Sequence, residues 1–261
     1  MDNVLDDAPS LERPSPGSPR VNVEEAAARY AFAAAEIRTL RVLDVASGSG
    51  LGSAFLLTQG ARFVVGVEAA GEALSEARIH AATVGLHFVR ADALALPFLD
   101  ASFDAVVSFE TIEHLADAHG LLAECRRILR PGGRLYLSTP NRTVTRWMPP
   151  NPFHVREFTD VEILEVVGQH FRSVACFWQR PVFFPTFVLR QLGRRCVAAV
   201  PGGQSLWRLW KRTRPRRIQA GATTWWGSRF DQALGQDRHY RVAPARRTIG
   251  VHPMYTVLVA R

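Results

Sequence analysis

The sequence predicts an α/β fold in which a mostly parallel, Rossmann-like sheet is covered by helices on both faces. Short apolar segments such as RVLDV (41–45) and RFVVGVE (62–68) are typical of buried strands, and segments rich in helix-forming residues separate them. Strands that alternate with helices form parallel sheets, because each helix returns the chain to the same edge. The chain has 261 residues, of which 47% are apolar and 21% charged, so it is long enough for one large domain.

The predicted elements follow one another in a regular order. Residues 1–22, rich in proline, serine and aspartate, are expected to be a disordered leader. A first helix is expected over 23–38, where strong helix formers follow two acidic residues. Further helices are expected over 52–60, 70–84, 118–129 and 160–169, the last with Thr159 as N-cap, and strands over 41–45, 62–68, 87–92, 104–110, 134–139, 172–177 and 254–261. These elements predict a core over 23–178, an inserted lid over 179–251 and a final core strand over 252–261.

The positive charge of the chain is concentrated in its last third. The formal net charge is +8, but residues 1–179 hold 16 Arg and Lys against 22 Asp and Glu, whereas residues 180–261 hold 16 against 2. Basic residues are interleaved there with Trp207 and Trp210. This pattern fits a solvated lid, a helix lying on an anionic membrane, or a surface that binds RNA. We favour the first two over nucleic acid, because no recognisable RNA-binding module is present.

A glycine-rich turn follows the first strand, and acidic residues stand at the ends of the first three strands. The turn lacks the glycine spacing of a dinucleotide site and the Lys-Ser/Thr of a P-loop, which argues against NAD and nucleoside triphosphates. An acid at the end of the second strand can bind both hydroxyls of a ribose, and one at the third can bind an adenine amine. The residues predicted to form this nucleoside site are Asp44, Gly48, Gly50, Glu68, Asp92 and Ala93. The alternatives are an ordinary turn and acids that are merely solvated.

Four segments resemble the class I S-adenosylmethionine-dependent methyltransferases. They are VLDVASGSG (42–50), VVGVE (64–68), VRADALALPFLDASFDAVVSFETIEH (89–114) and ILRPGGRLYLSTPNR (128–142). The resemblance implies a seven-stranded sheet whose C-terminal strand is antiparallel, with S-adenosyl-L-methionine as cofactor. It implies that Asp44, Gly48 and Gly50 hold the methionine moiety, that Glu68 holds the ribose and that Asp92 and Ala93 hold the adenine. Ala46 stands where the family usually has its first glycine.

Two further residues are expected beside the cofactor. Arg29-Tyr30 resembles a pair that precedes the first strand in bacterial relatives acting on glycans and natural products, where it lies over the cofactor. Core packing of an amphipathic helix explains Tyr30 equally well. Glu110, at the end of the fourth strand, is expected to face the cofactor in the same way as the first acid of many relatives.

The segment after the fourth strand supplies groups that can activate an acceptor hydroxyl. Glu110, Glu113 and His114 form an E-x-x-E-H pattern, and His154 lies on the loop after the fifth strand. The pattern resembles ubiquinone-pathway O-methyltransferases and small-RNA 2′-O-methyltransferases, in which such residues serve a metal. The resemblance implies that these four residues hold a Mg²⁺-like ion that lowers the pKa of the hydroxyl. In the metal-free alternative Glu113, His114 and His154 act as bases or pack.

The sequence therefore predicts a methyltransferase that acts on a hydroxyl of a sugar or a secondary metabolite. His154, Arg156 and Glu157 are expected to contact the acceptor, although Glu157 could instead cap the next helix. An RNA 2′-O-methyltransferase and a cofactor-binding scaffold without catalysis are the alternatives. Three scattered cysteines and an acidic N-terminus without a secretory pattern predict a cytoplasmic protein, with contact to a membrane surface as a further expectation.

Overall fold

The first five strands of the chain, all before the loop that carries His154, form the parallel half of the sheet. The computed structural model describes residues 20–79, 83–199, 241–245 and 249–261. The strands are β1 (Arg41–Val45), β2 (Phe63–Glu68), β3 (Leu86–Arg90), β4 (Phe103–Phe109), β5 (Leu129–Pro140), β6 (Val174–Phe183), β7 (Ala243–Pro244) and β8 (Val251–Ala260). Their order in the sheet is β3-β2-β1-β4-β5-β8-β6-β7. The first five strands in this order pair in parallel, so their carboxyl ends meet at one edge.

The C-terminal strand runs against its neighbours, as predicted. β8 pairs antiparallel with β5 on one side and with β6 on the other, so β6 runs parallel to β5. The predicted count of seven strands needs one correction, because the described residues also include the two-residue edge strand β7 beside β6. β6 and β8 are also longer than predicted, and their pairing continues to Phe183 opposite Val251. The sheet therefore extends beyond the predicted core boundaries at residues 178 and 252.

Helices cover both faces of the sheet. They are α1 (Arg20–Ala34), α2 (Leu51–Thr58), α3 (Gly71–Arg78), α4 (Ala118–Ile128), α5 (Arg142–Thr145), α6 (Asp160–Gly168) and α7 (Phe184–Ala199). One buried cluster joins α4 and α6 to the sheet, and a second joins α1 and α2 to the opposite face. Because β1, β2 and β4 are buried along almost their whole length, their near-continuous apolar sequences match the environment of a sheet covered twice.

Local signals set the helix boundaries that position the site. Thr159 caps α6 as predicted: its hydroxyl accepts from the amide of Glu162, whose carboxylate accepts from the amide of Thr159 in return. Asp117 caps α4 by accepting from the amide of Gly120. α1 ends at Ala34, four residues before its predicted end.

The region predicted to be a lid begins with a helix. α7 follows β6 directly, in a region where the sequence analysis gave a helix as only one of three interpretations. Most of the predicted leader and of the lid, including Trp207 and Trp210, lies outside the described residues, as does the part of the third helix at 80–82. Within the described ranges, no helix is both long and apolar enough to cross a membrane.

Candidate functional site

Asp44 is a fully buried carboxylate at the carboxyl end of β1. The Tyr30 hydroxyl lies 3.0 Å from Oδ1 and 3.1 Å from Oδ2, and the Ser53 hydroxyl donates to Oδ2 at 2.6 Å. Burial raises the pKa of Asp44 to about 7, although both hydrogen bonds oppose this rise. The Tyr30 ring also packs edge-on against Phe109 at 5.1 Å. Tyr30 therefore packs in the core and holds the Asp44 carboxylate, and its predicted position over the cofactor stays a prediction.

The turn after β1 depends on left-handed backbone conformations. Ala46, Gly48 and Gly50 have φ values of 57°, 54° and 77°. A Cβ on Gly50 would lie 2.5 Å from Cζ of Phe88. Both this close contact and the positive φ therefore disfavour a side chain at this position. Ala46 is exposed. Its left-handed backbone conformation costs an alanine more free energy than it would cost a glycine. The turn thus accommodates an alanine at Ala46 in a left-handed conformation.

Glu68 holds the same turn against the end of β2. Its Oε2 accepts from the amide of Gly48 at 3.0 Å, and its Oε1 accepts from the amide of Ala70 at 2.9 Å. Both carboxylate oxygens thus bond backbone amides, which fixes the position of Glu68. Its predicted contact with a ribose stays a prediction, and the structure adds a role that the sequence analysis missed.

Asp92 and Ala93 follow β3 at the same edge of the sheet. Asp92 is exposed, and its Oδ1 accepts from the amide of Leu94 at 2.9 Å, which fixes the turn. Ala93 is half-buried. The strand order places these residues beyond Glu68, on the far side from β4. Their predicted contacts with adenine remain a prediction.

Glu110 begins the segment after β4 with φ of 53°. Its Oε1 accepts from the Ser138 hydroxyl at 2.6 Å, and its amide donates to the carbonyl of Ser138 at 3.1 Å. Burial raises the pKa of Glu110, and the Arg29 guanidinium opposes the rise. Glu110 therefore lies against β5 and near the Arg29 side chain of α1.

Three of the four predicted metal ligands come together. Within the described part of the chain, Glu113, His114 and His154 form a group whose potential ligand atoms all lie within 4.8 Å of one another. The two imidazole rings meet edge to face with centroids 5.0 Å apart. Glu110 is not part of this group, because it bonds Ser138 instead, so the predicted set of four reduces to three.

Glu113 is the buried member of this cluster. Its Oε2 accepts from the Thr139 hydroxyl at 3.0 Å, but its Oε1 is buried and has no hydrogen-bond partner. Burial first, and the neighbouring Glu110 carboxylate second, raise the pKa of Glu113. The backbone carbonyl of Glu113 accepts from the amides of Val155 and Arg156, so this residue also ties the loop after β5 to the end of β4. An unpaired buried carboxylate oxygen requires an explanation, and a bound ion is one of the usual ones.

The hydrogen bonds of the two histidines indicate their tautomers. Nδ1 of His114 lies 3.0 Å from the carbonyl of Phe153, which can only accept, so Nδ1 carries the proton. Nδ1 of His154 lies 2.6 Å from Oε1 of Glu157, whose pKa is lowered first by this bond. Nε2 of His154 then accepts from Nδ2 of Asn151 at 3.0 Å. His114 thus has Nε2 as its basic or metal-ligating nitrogen, whereas Nε2 of His154 is engaged by Asn151, which must turn away before that nitrogen can act.

The loop after β5 supplies the residues that orient His154. The Thr145 hydroxyl donates to the second oxygen of Glu157, so this carboxylate is held from both sides. Glu157 does not cap α6, because Thr159 does, so the helix-cap alternative for Glu157 is wrong. Arg156 is exposed, and its guanidinium lies 4.7 Å above the Phe158 ring. Its predicted contact with an acceptor remains a prediction.

Several polar residues of the site carry no signal in a single sequence. Those missed by the sequence analysis are Ser53, Ser138, Thr139, Thr145 and Asn151. Ser138 and Thr139 stand at the end of β5, and that position at the carboxyl edge of a parallel sheet was the one feature that could have identified them.

Comparisons with known proteins agree with this geometry. The family model described as a methyltransferase domain matches residues 43–137. A probable S-adenosylmethionine-dependent methyltransferase of Mycolicibacterium smegmatis is 40% identical over 129 residues, which are 48% of this chain and 49% of that protein. A ubiquinone biosynthesis O-methyltransferase of Idiomarina loihiensis is 38% identical over 112 residues, or 41% of this chain and 45% of that protein. The matched region spans about half the length of these curated relatives.

A solved structure extends the likeness to most of the chain. An S-adenosylmethionine-dependent methyltransferase from Thermotoga maritima superimposes with a TM-score of 0.58, covering 91% of this chain and 90% of that one. Its sequence identity is 15%, so this likeness concerns the fold. The predicted Rossmann-like architecture is confirmed.

Proposed function

Because the chain contains a methyltransferase domain of the S-adenosylmethionine-dependent type over residues 43–137, we propose that the protein methylates a hydroxyl group of a small molecule, such as a sugar or a secondary metabolite. The observation that carries the proposal is the cluster of Glu113, His114 and His154, which stands at the carboxyl end of β4 in the same sheet edge as Asp44 and Glu68. Such a cluster offers a base or a metal site, which a hydroxyl acceptor needs.

The first three strand ends fit the cofactor. Asp44 and Glu68 are buried acids on adjacent strands, and the left-handed turn between them brings backbone within reach of a ligand. Gly50 lets this turn pack closely against Phe88, which helps to hold the turn in place. When bound, S-adenosylmethionine supplies a methyl group on a positively charged sulfur, ready for in-line displacement. The residues of this chain then bind and orient the two reactants and exclude water.

His154 is the residue that we propose as the general base. Its Nδ1–H donates to Glu157, which holds the ring and favours the charged imidazolium that would form after proton uptake. Nε2 is therefore the atom that would take the proton of the acceptor hydroxyl, which requires the acceptor to displace the amide of Asn151 from it. His154 has only 10% of its side chain exposed, so solvent would compete weakly for this position.

The same cluster fits a divalent cation such as Mg²⁺. The donors are a carboxylate oxygen and Nε2 of His114, joined by Nε2 of His154 if the cation displaces the amide of Asn151, and Oε1 of Glu113 accepts no hydrogen bond. The bond between His154 and Glu157 matches the carboxylate–histidine pairing that orients metal-bound imidazoles. A cation held there would lower the pKa of an acceptor hydroxyl, and Glu113, His114 and His154 would hold it.

The cation is tested by binding rather than by activity. We would titrate Mn²⁺, as a paramagnetic substitute for Mg²⁺, into the protein and follow free Mn²⁺ by electron paramagnetic resonance. The Glu113→Gln variant should lose most of this affinity, whereas the matched variant Glu72→Gln, at an exposed carboxylate of α3, should keep it. Equal affinity in both variants would remove the metal from the proposal.

Methyl transfer itself is tested with hydroxylated probes. We would incubate the protein with S-adenosylmethionine and panels of catechols and glycosides, and measure S-adenosylhomocysteine together with the methylated product. Formation of a methyl ether that depends on His154 supports the proposal. Methylation of RNA and of none of these probes would favour the nucleic-acid alternative. Tight binding of S-adenosylhomocysteine without any transfer would favour a scaffold.

A further inference from the structure

Helix α7 exposes an apolar stripe. Pro185, Leu189, Leu192 and Cys196 recur at intervals of four, three and four residues, which places them on one face of the helix. All four are exposed, and the side chains of Leu189 and Leu192 keep 69% and 42% of their surface accessible. The opposite face is the one that packs on the protein, where Gln191 is buried. Within the described part of the chain, this apolar stripe therefore faces away from the sheet and is left uncovered.

Two more exposed apolar side chains lie beside the start of this stripe. Phe183 is 53% exposed and Ile249 is 98% exposed. Gly250, which follows Ile249, lies close to Phe183 and to the first residue of the stripe. A Cβ on Gly250 would be 3.2 Å from the Phe183 ring and 3.7 Å from Cδ of Pro185. The carbonyl of Gly250 also accepts from the amide of Phe184. We call this surface the α7 patch, and its members are Phe183, Pro185, Leu189, Leu192, Cys196 and Ile249.

The α7 patch lies at the cofactor edge of the sheet. β6 runs parallel to β5, so its end at Phe183 is at the same edge as the ends of β1, β2 and β4. Phe184, the first residue of α7, packs against His252 at 5.2 Å and against Trp147 at 6.3 Å. Trp147 belongs to the loop that also carries His154. A partner of the α7 patch would therefore sit beside one wall of the proposed acceptor site.

The charge of the chain segment that contains the α7 patch favours an anionic partner. Residues 180–261 hold 16 Arg and Lys against 2 Asp and Glu, and the exposed Arg190 lies within α7 itself. Aliphatic side chains next to arginines match the interface of an anionic bilayer, where apolar groups enter the acyl boundary and guanidinium groups meet headgroups. The stripe lacks the aromatic side chains on which nucleic-acid bases stack. A second copy of the chain would bring the same positive charge to the contact, which disfavours a dimer.

We propose that the α7 patch docks the protein on an anionic lipid surface. The leucines of the stripe enter the interface, and the basic residues of the last third of the chain neutralise lipid headgroups. The two contributions act together, because a short apolar stripe or a basic segment alone gives only weak attachment. This docking does not depend on the proposed chemistry, since none of its residues belongs to the cofactor site or to the cluster at β4.

The test is sedimentation of the full chain with vesicles. We would compare phosphatidylcholine vesicles that contain about a third of phosphatidylglycerol with pure phosphatidylcholine vesicles, at low and high salt. The protein should sediment with the anionic vesicles only, and salt should reduce the bound fraction. The double variant Leu189→Ser/Leu192→Ser should lower the partition coefficient about tenfold, because it removes apolar surface equal to about one leucine. Arg190→Glu should lower it several-fold through charge alone.

The matched control is Val84→Ser/Leu99→Ser, which replaces two exposed apolar residues far from α7 in the sequence. It should sediment like the unchanged protein, and all variants should keep the same affinity for S-adenosylhomocysteine. Equal binding to neutral and anionic vesicles, no binding to either, or unchanged binding of the leucine variant would overturn the proposal. Retention of RNA in place of vesicles, or a dimer that only the leucine variant dissociates, would also overturn it in favour of another partner.

Discussion

Because Asp44 is buried, we predict that the affinity for S-adenosylhomocysteine changes with pH. Its carboxylate is buried, and its pKa is raised to about 7 in the free protein. Under the proposed function Asp44 is a ligand of the methionine moiety, whose amino group is positively charged. Such a ligand binds the ionised carboxylate best, so binding near neutral pH must release a proton.

The size of this effect follows from the position of the pKa. At pH 6 about nine tenths of the Asp44 side chains are protonated, and at pH 8 about one tenth. The dissociation constant of S-adenosylhomocysteine should therefore be about tenfold higher at pH 6 than at pH 8, which corresponds to about 1.4 kcal/mol. Affinity rises with pH through 7 and becomes constant above about pH 8, because the carboxylate is then ionised before binding.

Isothermal titration calorimetry measures both quantities. Titrations at pH 6, 7 and 8 give the dissociation constants, and buffers of different ionisation enthalpy give the number of protons released, which should be about 0.9 per ligand at pH 6 and about 0.1 at pH 8. Ser53→Ala removes a bond that stabilises the ionised form, so it should move the midpoint to higher pH. Asp44→Asn should bind weakly at every pH. If Asp44→Asn kept the tenfold dependence, another group would be responsible and the reasoning would fail.

Three further predictions concern the turn and the His154 pair. Gly50→Ala should lower the free energy of unfolding by about 1–3 kcal/mol in thermal denaturation, because its Cβ meets Phe88 at a positive φ. Ala46→Gly should raise it by about 0.5–1 kcal/mol, since glycine adopts the observed φ of 57° without strain; a decrease would contradict this. Glu157→Gln should lower the turnover number about 10- to 100-fold and change KM little, with unchanged folding by circular dichroism, because it removes the negative charge that stabilises the imidazolium of His154. An unaltered turnover number would exclude this role.

The parts of the fold that the sequence predicts are those with local signals. β1 and β2 are uninterrupted apolar runs that end in acids, and α6 begins with a Thr-x-x-Glu capping box. The extension of β6 to Phe183 has no such signal, since it depends on pairing with Val251, nearly 70 residues later. α7 was missed because Pro185 and Gly193 interrupt its pattern. Pro185 is the second residue of α7, where a missing N–H costs nothing.

The site shows the same division between residue types and their arrangement. Histidines and carboxylates at strand ends could be chosen from the sequence, and Glu113, His114 and His154 do meet. That Glu110 lies apart from these three residues could not be predicted from the sequence. Its position depends on a left-handed backbone at that residue and on the Ser138 hydroxyl of the neighbouring strand. Periodicity places a residue on a face, whereas these contacts are set by packing between strands.

Asp44 and Glu113 show why two buried acids of one site lead to different inferences. The pKa of each is raised mainly by burial, so each is stabilised by a positive ligand. Both oxygens of Asp44 already accept hydrogen bonds from hydroxyls, so a ligand needs to bring only charge. Oε1 of Glu113 has no partner, so its ligand must supply a direct bond as well. An ammonium group near Asp44 meets the first requirement. A cation or the proton of a hydroxyl group at Glu113 meets the second. The two strand ends together are therefore consistent with the proposed transfer of a methyl group to an oxygen acceptor.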